Sequence, residues 1–476
     1  MTNNVPPQLA YSETPTFLPE SHYKYVLEQV QGQSDYWASR TSKKESLSKG
    51  QVFTPLAMSV QLSSMLPDSC IPMDACSIAD PGAGTGILSV AMASKIANSG
   101  RSPQLMIKGF ETDTRLKDSW DLAWELFEKR GLLSVNTELH TDFTEDAENL
   151  LKTGEIHGMT KPKIIHSNPP YQKLGKSTSL SKVLTANGVP VTNLYAAFLA
   201  LSVCWLEGGG ELLAIVPRSF ASGDYFKGFR AWLSQRMSVE HIVLYRDRTN
   251  FQNVLQETIL IRLVKKSTQT SDVRITVMDT PTSTPEYDLL MPAREIIMDS
   301  GWWMPRSKSD IRLVNINRNR KHTLESLGLT VSTGKVEMHR LKGTIESTVL
   351  YSKDFDNDGN LSWAELKKPR KVNVEPKQVL ELPKVGCYVV LKRISSNDGL
   401  KPQRLFPCLI SRESTGLKSL ALENHVQYLH NNGKPLTMEQ GEMLITSLQS
   451  QEMNAVIRSI GGTTQVNKSD LAQLRF

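Results

Sequence analysis

Asn168-Pro169-Pro170-Tyr171 puts a side-chain amide, two prolines and a phenol ring into consecutive positions. The prolines fix φ, remove two N–H donors and keep Asn168 out of helical geometry. The result is a stiff loop presenting an amide oxygen, bare backbone carbonyls and a flat ring. Such a surface suits a planar heteroaromatic amine, with two acceptors for its NH2 group and a ring to stack on. A strand stopped by prolines beside a packed tyrosine is the plainer alternative, and these residues alone leave it open.

Upstream, Pro81-Gly82-Ala83-Gly84-Thr85-Gly86 spaces its glycines as G-x-G-x-G. Glycines between a strand and a helix let backbone approach a ligand closely and aim N–H groups at it. The spacing departs from the G-x-G-x-x-G of dinucleotide sites. Glu111, 25 residues after Gly86, supplies a carboxylate where a ribose diol would lie. Asp142 can accept from an adenine amino group, or can cap the turn that follows it. No basic residue near the glycine turn suits a pyrophosphate, so a cationic nucleoside fits better than NAD or ATP.

Each of these groups needs an element to hold it. Ile164-Ile165-His166-Ser167 reads as a buried strand feeding Asn168. Cys76 to Ala79 is a strand ending at Asp80, and Ile87 to Ala97 is an apolar-faced helix. Leu105 to Phe110 is a strand ending at Glu111, Leu116 to Arg130 a helix, and Asn136 to His140 leads to Asp142. Asn193 to Leu206 is a buried helix stopped by Gly208-Gly209-Gly210. Glu211 to Val216, Val239 to Tyr245 and Glu257 to Val264 are further strands. This alternation predicts a parallel α/β sheet with every polar candidate at its carboxyl edge, where ligands bind.

Residues 1–48 read as a polar N-terminal extension, helix-like from about Ser21 to Arg40, and Leu56 to Leu66 carries helical spacing. Beyond about Lys266 the rhythm breaks into short β-like pieces, turns and Lys/Arg clusters. A chain of 476 residues exceeds what one core usually supports. The expected domains are therefore 1–48, 49–270 and a mixed α and β domain at 271–476.

Residues 301–476 hold 26 Lys+Arg against 17 Asp+Glu, a balance of +9, while the remainder carries 29 against 32. A basic back half suggests a polyanionic partner, although an ordinary solvated surface fits as well. The 5 cysteines form no C-x-x-C pair, which suits free thiols in a reducing cytoplasm rather than a disulfide frame or zinc site. The polar start has no apolar signal segment, and the longest apolar run, Tyr195 to Trp205, is too short to span a bilayer. A cytoplasmic protein is expected.

Taken in order, Phe53-Thr54-Pro55, the glycine turn headed by Asp80, Glu111, Asp142 and Asn168-Pro169-Pro170-Tyr171 resemble the S-adenosylmethionine-dependent DNA amino-methyltransferases. Cofactor motifs before the catalytic motif, with a large last domain, are similar to the gamma class of N6-adenine enzymes (TaqI-like). The C-terminal half is similar to the recognition domain of a BsuBI/PstI-like type II restriction–modification subgroup. Its matching pieces are Val331-Ser332-Thr333-Gly334-Lys335-Val336, Tyr388-Val389-Val390-Leu391-Lys392-Arg393, Leu422-Glu423-Asn424-His425, Thr464-Gln465-Val466-Asn467 and Asp470-Leu471.

The resemblance covers about residues 49–476. It implies a Rossmann-like class I methyltransferase domain, mostly a parallel sheet, followed by a mixed α+β target-recognition domain. It also implies S-adenosylmethionine as cofactor, duplex DNA as substrate and a separately encoded restriction endonuclease as partner; a monomer is the expected state. The implied cofactor contacts are Thr54 and the Gly82–Gly84 turn at the methionine part, Glu111 at the ribose and Asp142 at the adenine, with Asp80 and Asn168 beside them. Asp80 departs from the bulky apolar residue or Glu that heads this turn in many relatives. Gln172 to Val191 is longer and more polar than the motif demands.

In such an enzyme Asn168 and the Pro169 carbonyl draw the amine hydrogens out of plane, and Tyr171 stacks on an extruded base. Phe251, in the loop before the last strand, is expected to supply the second face, with Phe220 as a weaker rival. Lys392, Arg393, Arg404, Gln465 and Asn467 are the expected DNA contacts, Lys at phosphates and the others at base edges. A methyltransferase acting on rRNA or a protein glutamine, and a DNA-binding protein with a silent enzyme fold, are the competing readings.

Asp354 to Glu365 fits the EF-hand loop at every ligand position. The flanking helices are missing, since Thr348 to Tyr351 reads as a strand and Pro369 cuts short an exit helix. No metal is expected.

Overall fold

Apolar strands alternate with amphipathic helices through the first part of the chain. The computed structural model describes residues 23–131, 133–156, 158–246, 257–299, 301–395, 403–460 and 464–476. Two compact units divide at Gly301 and Trp302.

In the first unit, α1 (Lys24–Arg40), α2 (Lys43–Lys49) and α3 (Leu56–Ser64) precede β1 (Ala75–Pro81), α4 (Ile87–Ala97) and β2 (Gln104–Phe110). Next come α5 (Lys117–Glu128), β3 (Val135–His140), α6 (Ala147–Thr153), β4 (Ile164–Ser167), α7 (Ser179–Ala186) and α8 (Leu194–Trp205). The unit continues with β5 (Glu211–Pro217), α9 (Ser219–Ser222), α10 (Lys227–Ser234), β6 (Ser238–Tyr245), β7 (Thr258–Val264), β8 (Asp272–Met278) and β9 (Tyr287–Pro292).

These strands form one nine-stranded sheet, ordered β3-β2-β1-β4-β5-β7-β6-β8-β9. From β3 to β5 every pairing is parallel, and β7 runs antiparallel between β5 and β6. The chain winds outward from β1 to β3, then resumes at β4 on the other side of β1. The carboxyl ends of β1 and β4 therefore flank the crevice where the winding reverses, the usual ligand position in such sheets. β4 and β5 are buried at every residue, as strands covered on both faces must be.

Helix α1 belongs to this core. The Tyr23 ring stacks on Phe127 of α5 at 4.3 Å, and Val26, Leu27 and Val30 are buried. Each such aliphatic side chain contributes about 2 kcal/mol. Beneath the glycine turn, Trp120 of α5 fills the space that side chains would take. A Cβ on Gly109 would lie 2.6 Å from its ring, and one on Gly86 3.1 Å.

The sheet runs past the expected boundary at residue 270. β8 pairs parallel with β6, and β9 antiparallel with β8. Val273, Ile275 and Val277 alternate into the interior with no exposure, so residues 272–292 extend the first sheet. The second unit has the expected mixed character, with two four-stranded sheets. One is built from Thr330–Thr333, Val426–His430, Tyr388–Lys392 and Pro407–Ile410. The other joins Lys371–Val374, Ile345–Leu350, Ser419–Leu422 and Val379–Glu381. Helices Lys308–Arg318, Met438–Gln449 and Gln451–Ile460 accompany them. No helix among the described residues is long and apolar enough to cross a membrane.

Candidate active site

The glycine turn is shaped by left-handed backbone, with φ of 86° at Gly82, 57° at Gly84 and 85° at Gly86. Side chains rarely adopt such values. The N–H groups of Gly82 and Ala83 both donate to the Phe110 carbonyl at 2.9 Å, tying the ends of β1 and β2. A hydrogen bond of 2.6 Å between the hydroxyls of Thr85 and Ser34 fixes the turn to α1.

Glu111 closes the next strand end. Its carboxylate accepts from the Gly84 N–H at 3.0 Å and the Asp113 N–H at 2.7 Å. Burial pushes its carboxyl above the usual value, against the pull of these N–H groups. Asp113 moves the other way: Arg115, then Lys49 at 3.0 Å, hold it well below the ordinary carboxylate range. Asp142 is exposed, and its Oδ1 accepts from the Thr144 N–H at 2.8 Å and hydroxyl at 2.9 Å. It thus caps the following turn while facing the same crevice.

At the end of β4 the Ser167 hydroxyl donates to the Pro81 carbonyl at 2.6 Å, clamping the two central strand ends together. Asn168 follows, 8% exposed. Its Nδ2 donates to Thr54 Oγ1 at 2.9 Å and to the Val52 carbonyl at 3.2 Å. Those two acceptors commit the nitrogen, which leaves Oδ1 on the other side, buried and without a hydrogen-bond partner among the described residues. Gly50, at φ 62°, makes this approach of the 49–54 segment possible. A Cβ there would lie 2.8 Å from Gln172 and 3.0 Å from Pro170. The Tyr171 hydroxyl donates to the Ile215 carbonyl at 3.1 Å, and its ring meets Tyr195 edge-on at 6.0 Å. Burial raises that phenol well above its ordinary value, so it stays protonated.

Thr54, Gly82, Gly84, Glu111, Asp142, Asn168 and Pro170 line one cleft, with Pro169 and Tyr171 continuing the same loop. Asp80 is placed differently from the expectation. With 0% exposure, its carboxylate accepts from the Ser89 hydroxyl at 2.7 Å and lies 3.2 Å from His166 Nε2. It supports the two strand ends from behind. Phe251 lies outside the described residues; Phe220 is fully buried among Phe226 and Phe229, so it has no face to offer a base.

Beyond the residues expected from the sequence, Lys49, Phe143 and Phe198 also line the cleft. Phe143 could have been found from its place next to Asp142, since a ring there can cover a purine. Its ring packs 5.2 Å from Phe110 and 5.5 Å from Phe198. Nothing local marks Lys49 or Phe198.

In the second unit, Arg393 and Gln465 come together, with 3.3 Å between Nη2 and Oε1. Asn467 stands two residues on, where its N–H donates to Asp470 at 2.7 Å. Lys392 donates to Asn357 at 3.1 Å and is half-buried between the rings of Phe355 and Phe406. Arg404 is a correction: it is 0% exposed and donates to the Ser395 carbonyl at 2.9 Å, so it has no surface for DNA. In the EF-hand-like loop, Asp354 is buried on the Arg370 guanidinium and the Tyr351 N–H, and Asp356 accepts from Asn360 and Asp358.

Residues 89–251 match the Eco57I restriction-modification methylase family. The type II methyltransferase M.BsuBI of Bacillus subtilis is 28% identical over 446 residues, covering 90% of this chain and 87% of that protein. Over most of its length the chain is thus similar to a type II methyltransferase. M.PstI of Providencia stuartii is 29% identical over 332 residues, 65% of this chain and 64% of that methyltransferase. Among solved structures, the type IIG restriction endonuclease BpuSI aligns over 94% of this chain and 61% of its own, with TM-score 0.50 and 13% identity. That likeness shows the fold. The class I methyltransferase arrangement expected from the sequence is the one these strands form.

Proposed function

We propose that the protein is a site-specific DNA adenine-N6 methyltransferase using S-adenosylmethionine. Asn168 Oδ1 carries this reading: a buried acceptor with no partner among the described residues, on an amide whose nitrogen is already engaged, in a residue that lines the cleft. A buried acceptor left unpaired costs about 1–3 kcal/mol, so a ligand N–H is the natural complement. An adenine NH2 group offers one.

The cleft residues fit the cofactor. Among the described residues nothing lies within 4 Å of where a Cβ on Gly84 would be, leaving room for close approach of a ligand. Glu111 would accept from the ribose hydroxyls, Asp142 from the adenine amino group, and Phe143 would cover the ring. When bound, S-adenosylmethionine supplies a methyl group on a sulfonium, electrophilic enough that no nucleophilic side chain or metal is needed.

The chain's own part is placement. An adenine amine is weakly nucleophilic because its lone pair is delocalised into the ring. Asn168 Oδ1 and the Pro169 carbonyl would accept its two hydrogens and localise the lone pair toward the methyl group. The proton can leave to water after transfer. A duplex base must first rotate out at a cost of a few kcal/mol. Stacking on Tyr171, about 1–3 kcal/mol per base, offsets much of that; Phe251 is proposed as the second face. Lys392, Arg393, Gln465 and Asn467 are the proposed DNA contacts, supported by the +9 balance of residues 301–476. Protection of DNA from a separately encoded endonuclease would be the biological role, a reading supported by the match to a restriction-modification methylase family.

Transfer of tritiated methyl groups to duplex DNA, rRNA and protein offered together tests the substrate class. Label in DNA alone is expected. Label in rRNA or in a protein amide would overturn the proposal.

A further inference from the structure

Tyr225 is 82% exposed, on the short 3-10 turn 224–226 that follows α9 after the carboxyl end of β5. β5 lies next to β4, with Ala214 opposite Ser167. The turn therefore leaves the same sheet edge as Asn168, one strand away. A lone surface tyrosine needs no explanation by itself. This one is braced. Phe226 beside it is buried, 5.5 Å from the Tyr195 ring, which is 6.0 Å from the Tyr171 ring. From below, Arg230 Nη1 donates to the carbonyls of Phe220 at 3.0 Å and Gly223 at 2.9 Å. A solvent-facing cation, Lys227, comes two residues later. The fold thus holds an aromatic side chain into solvent at the catalytic edge, on a clamped turn, through rings that end on the catalytic motif.

Building on the DNA-methyltransferase reading, we infer that Tyr225 contacts duplex DNA and stacks against the bases left unpartnered when the target adenine rotates out. Removing a base from the helix exposes the faces of its neighbours. A flat side chain inserted there restores stacking and tolerates any flanking sequence, because every base has a π-face. Lys227 beside it suits the phosphate of the same step.

Tyr225→Ala and Tyr225→Phe decide the matter on two oligonucleotide duplexes. Both carry the site at which the unaltered protein deposits methyl groups; in one the target adenine is paired, in the other it faces an abasic position. Tyr225→Ala is expected to lose about ten- to a hundredfold in kcat/KM on the paired duplex, and under threefold on the abasic one, where extrusion is already eased. Tyr225→Phe should match the unaltered protein on both. Unchanged transfer by Tyr225→Ala on the paired duplex, or an equal loss on both, overturns the inference. Failure of the unaltered protein to methylate any duplex would bring down the underlying reading as well, and is distinguishable on that ground.

Discussion

Asn168 Nδ2 lies 2.9 Å from Thr54 Oγ1, across 114 residues of sequence, and this contact, with the Val52 carbonyl at 3.2 Å, sets which end of the amide is engaged. An amide is nearly symmetric in shape, so only its partners orient it. Removing the hydroxyl should therefore act on turnover more than on folding. Thr54→Val is expected to lower kcat about tenfold through one lost hydrogen bond, with Thr54→Ser near the unaltered value. Steady-state methyl transfer with both variants, beside their unfolding temperatures, checks this.

Glu111 should govern cofactor affinity. Glu111→Ala is expected to weaken S-adenosylhomocysteine binding about a hundredfold, since two hydrogen bonds to a carboxylate are lost. Burial raises this carboxyl, so its protonation begins at a higher pH than for an ordinary glutamate. Its contribution to stability without ligand is greatest below the ordinary value and is lost as pH rises through the raised one. Ligand binding needs the ionised form and so reverses the trend: affinity should fall on acidification in the unaltered protein and stay flat in Glu111→Ala. Calorimetric titration across pH reads both.

His166 links the two central strands from behind, within 3.2 Å of Asp80 and 3.0 Å of Ser89. His166→Ala would remove a buried polar partner of Asp80 and Ser89, at a cost of about 1–3 kcal/mol. Denaturant unfolding should show the loss.

His241 of β6 is buried against Thr276 at 2.8 Å, and burial, aided by Arg274, pushes its imidazole down to about 4. The fold keeps it neutral while the unfolded chain binds a proton below the ordinary value of 6.5. Stability is therefore full above that value and falls as pH drops toward about 4. The span corresponds to about 3 kcal/mol. His241→Gln should flatten this part of the acid limb in thermal melts; an unchanged limb would contradict the assignment.

Much of the site could be read from strand ends. Gly82, Glu111 and Asn168 follow apolar runs that mark where each strand stops, and the order of winding brings those stops to one edge with Asp142, which follows the more polar β3. What stayed hidden depends on contacts distant in sequence. Asp80 faces inward because Ser89 and His166 meet it there. Arg404 stands in a polar stretch that looks exposed, yet the Asn454 amide, accepting from its N–H at 2.6 Å, draws it inside. Val273, Ile275 and Val277 announce a strand, but only pairing with β6 says which sheet it joins. The Ser34–Thr85 bond, which makes α1 part of the glycine turn's support, leaves no local mark at all.

The central claim is that Asn168 presents its amide oxygen to an adenine amine. Mass spectrometry of nucleosides from duplex DNA treated with the unaltered protein and with Asn168→Ala tests it most directly. N6-methyladenine from the first, reduced at least a hundredfold in the second, is the expected result. Methylated cytosine in its place, or N6-methyladenine undiminished by Asn168→Ala, would contradict it.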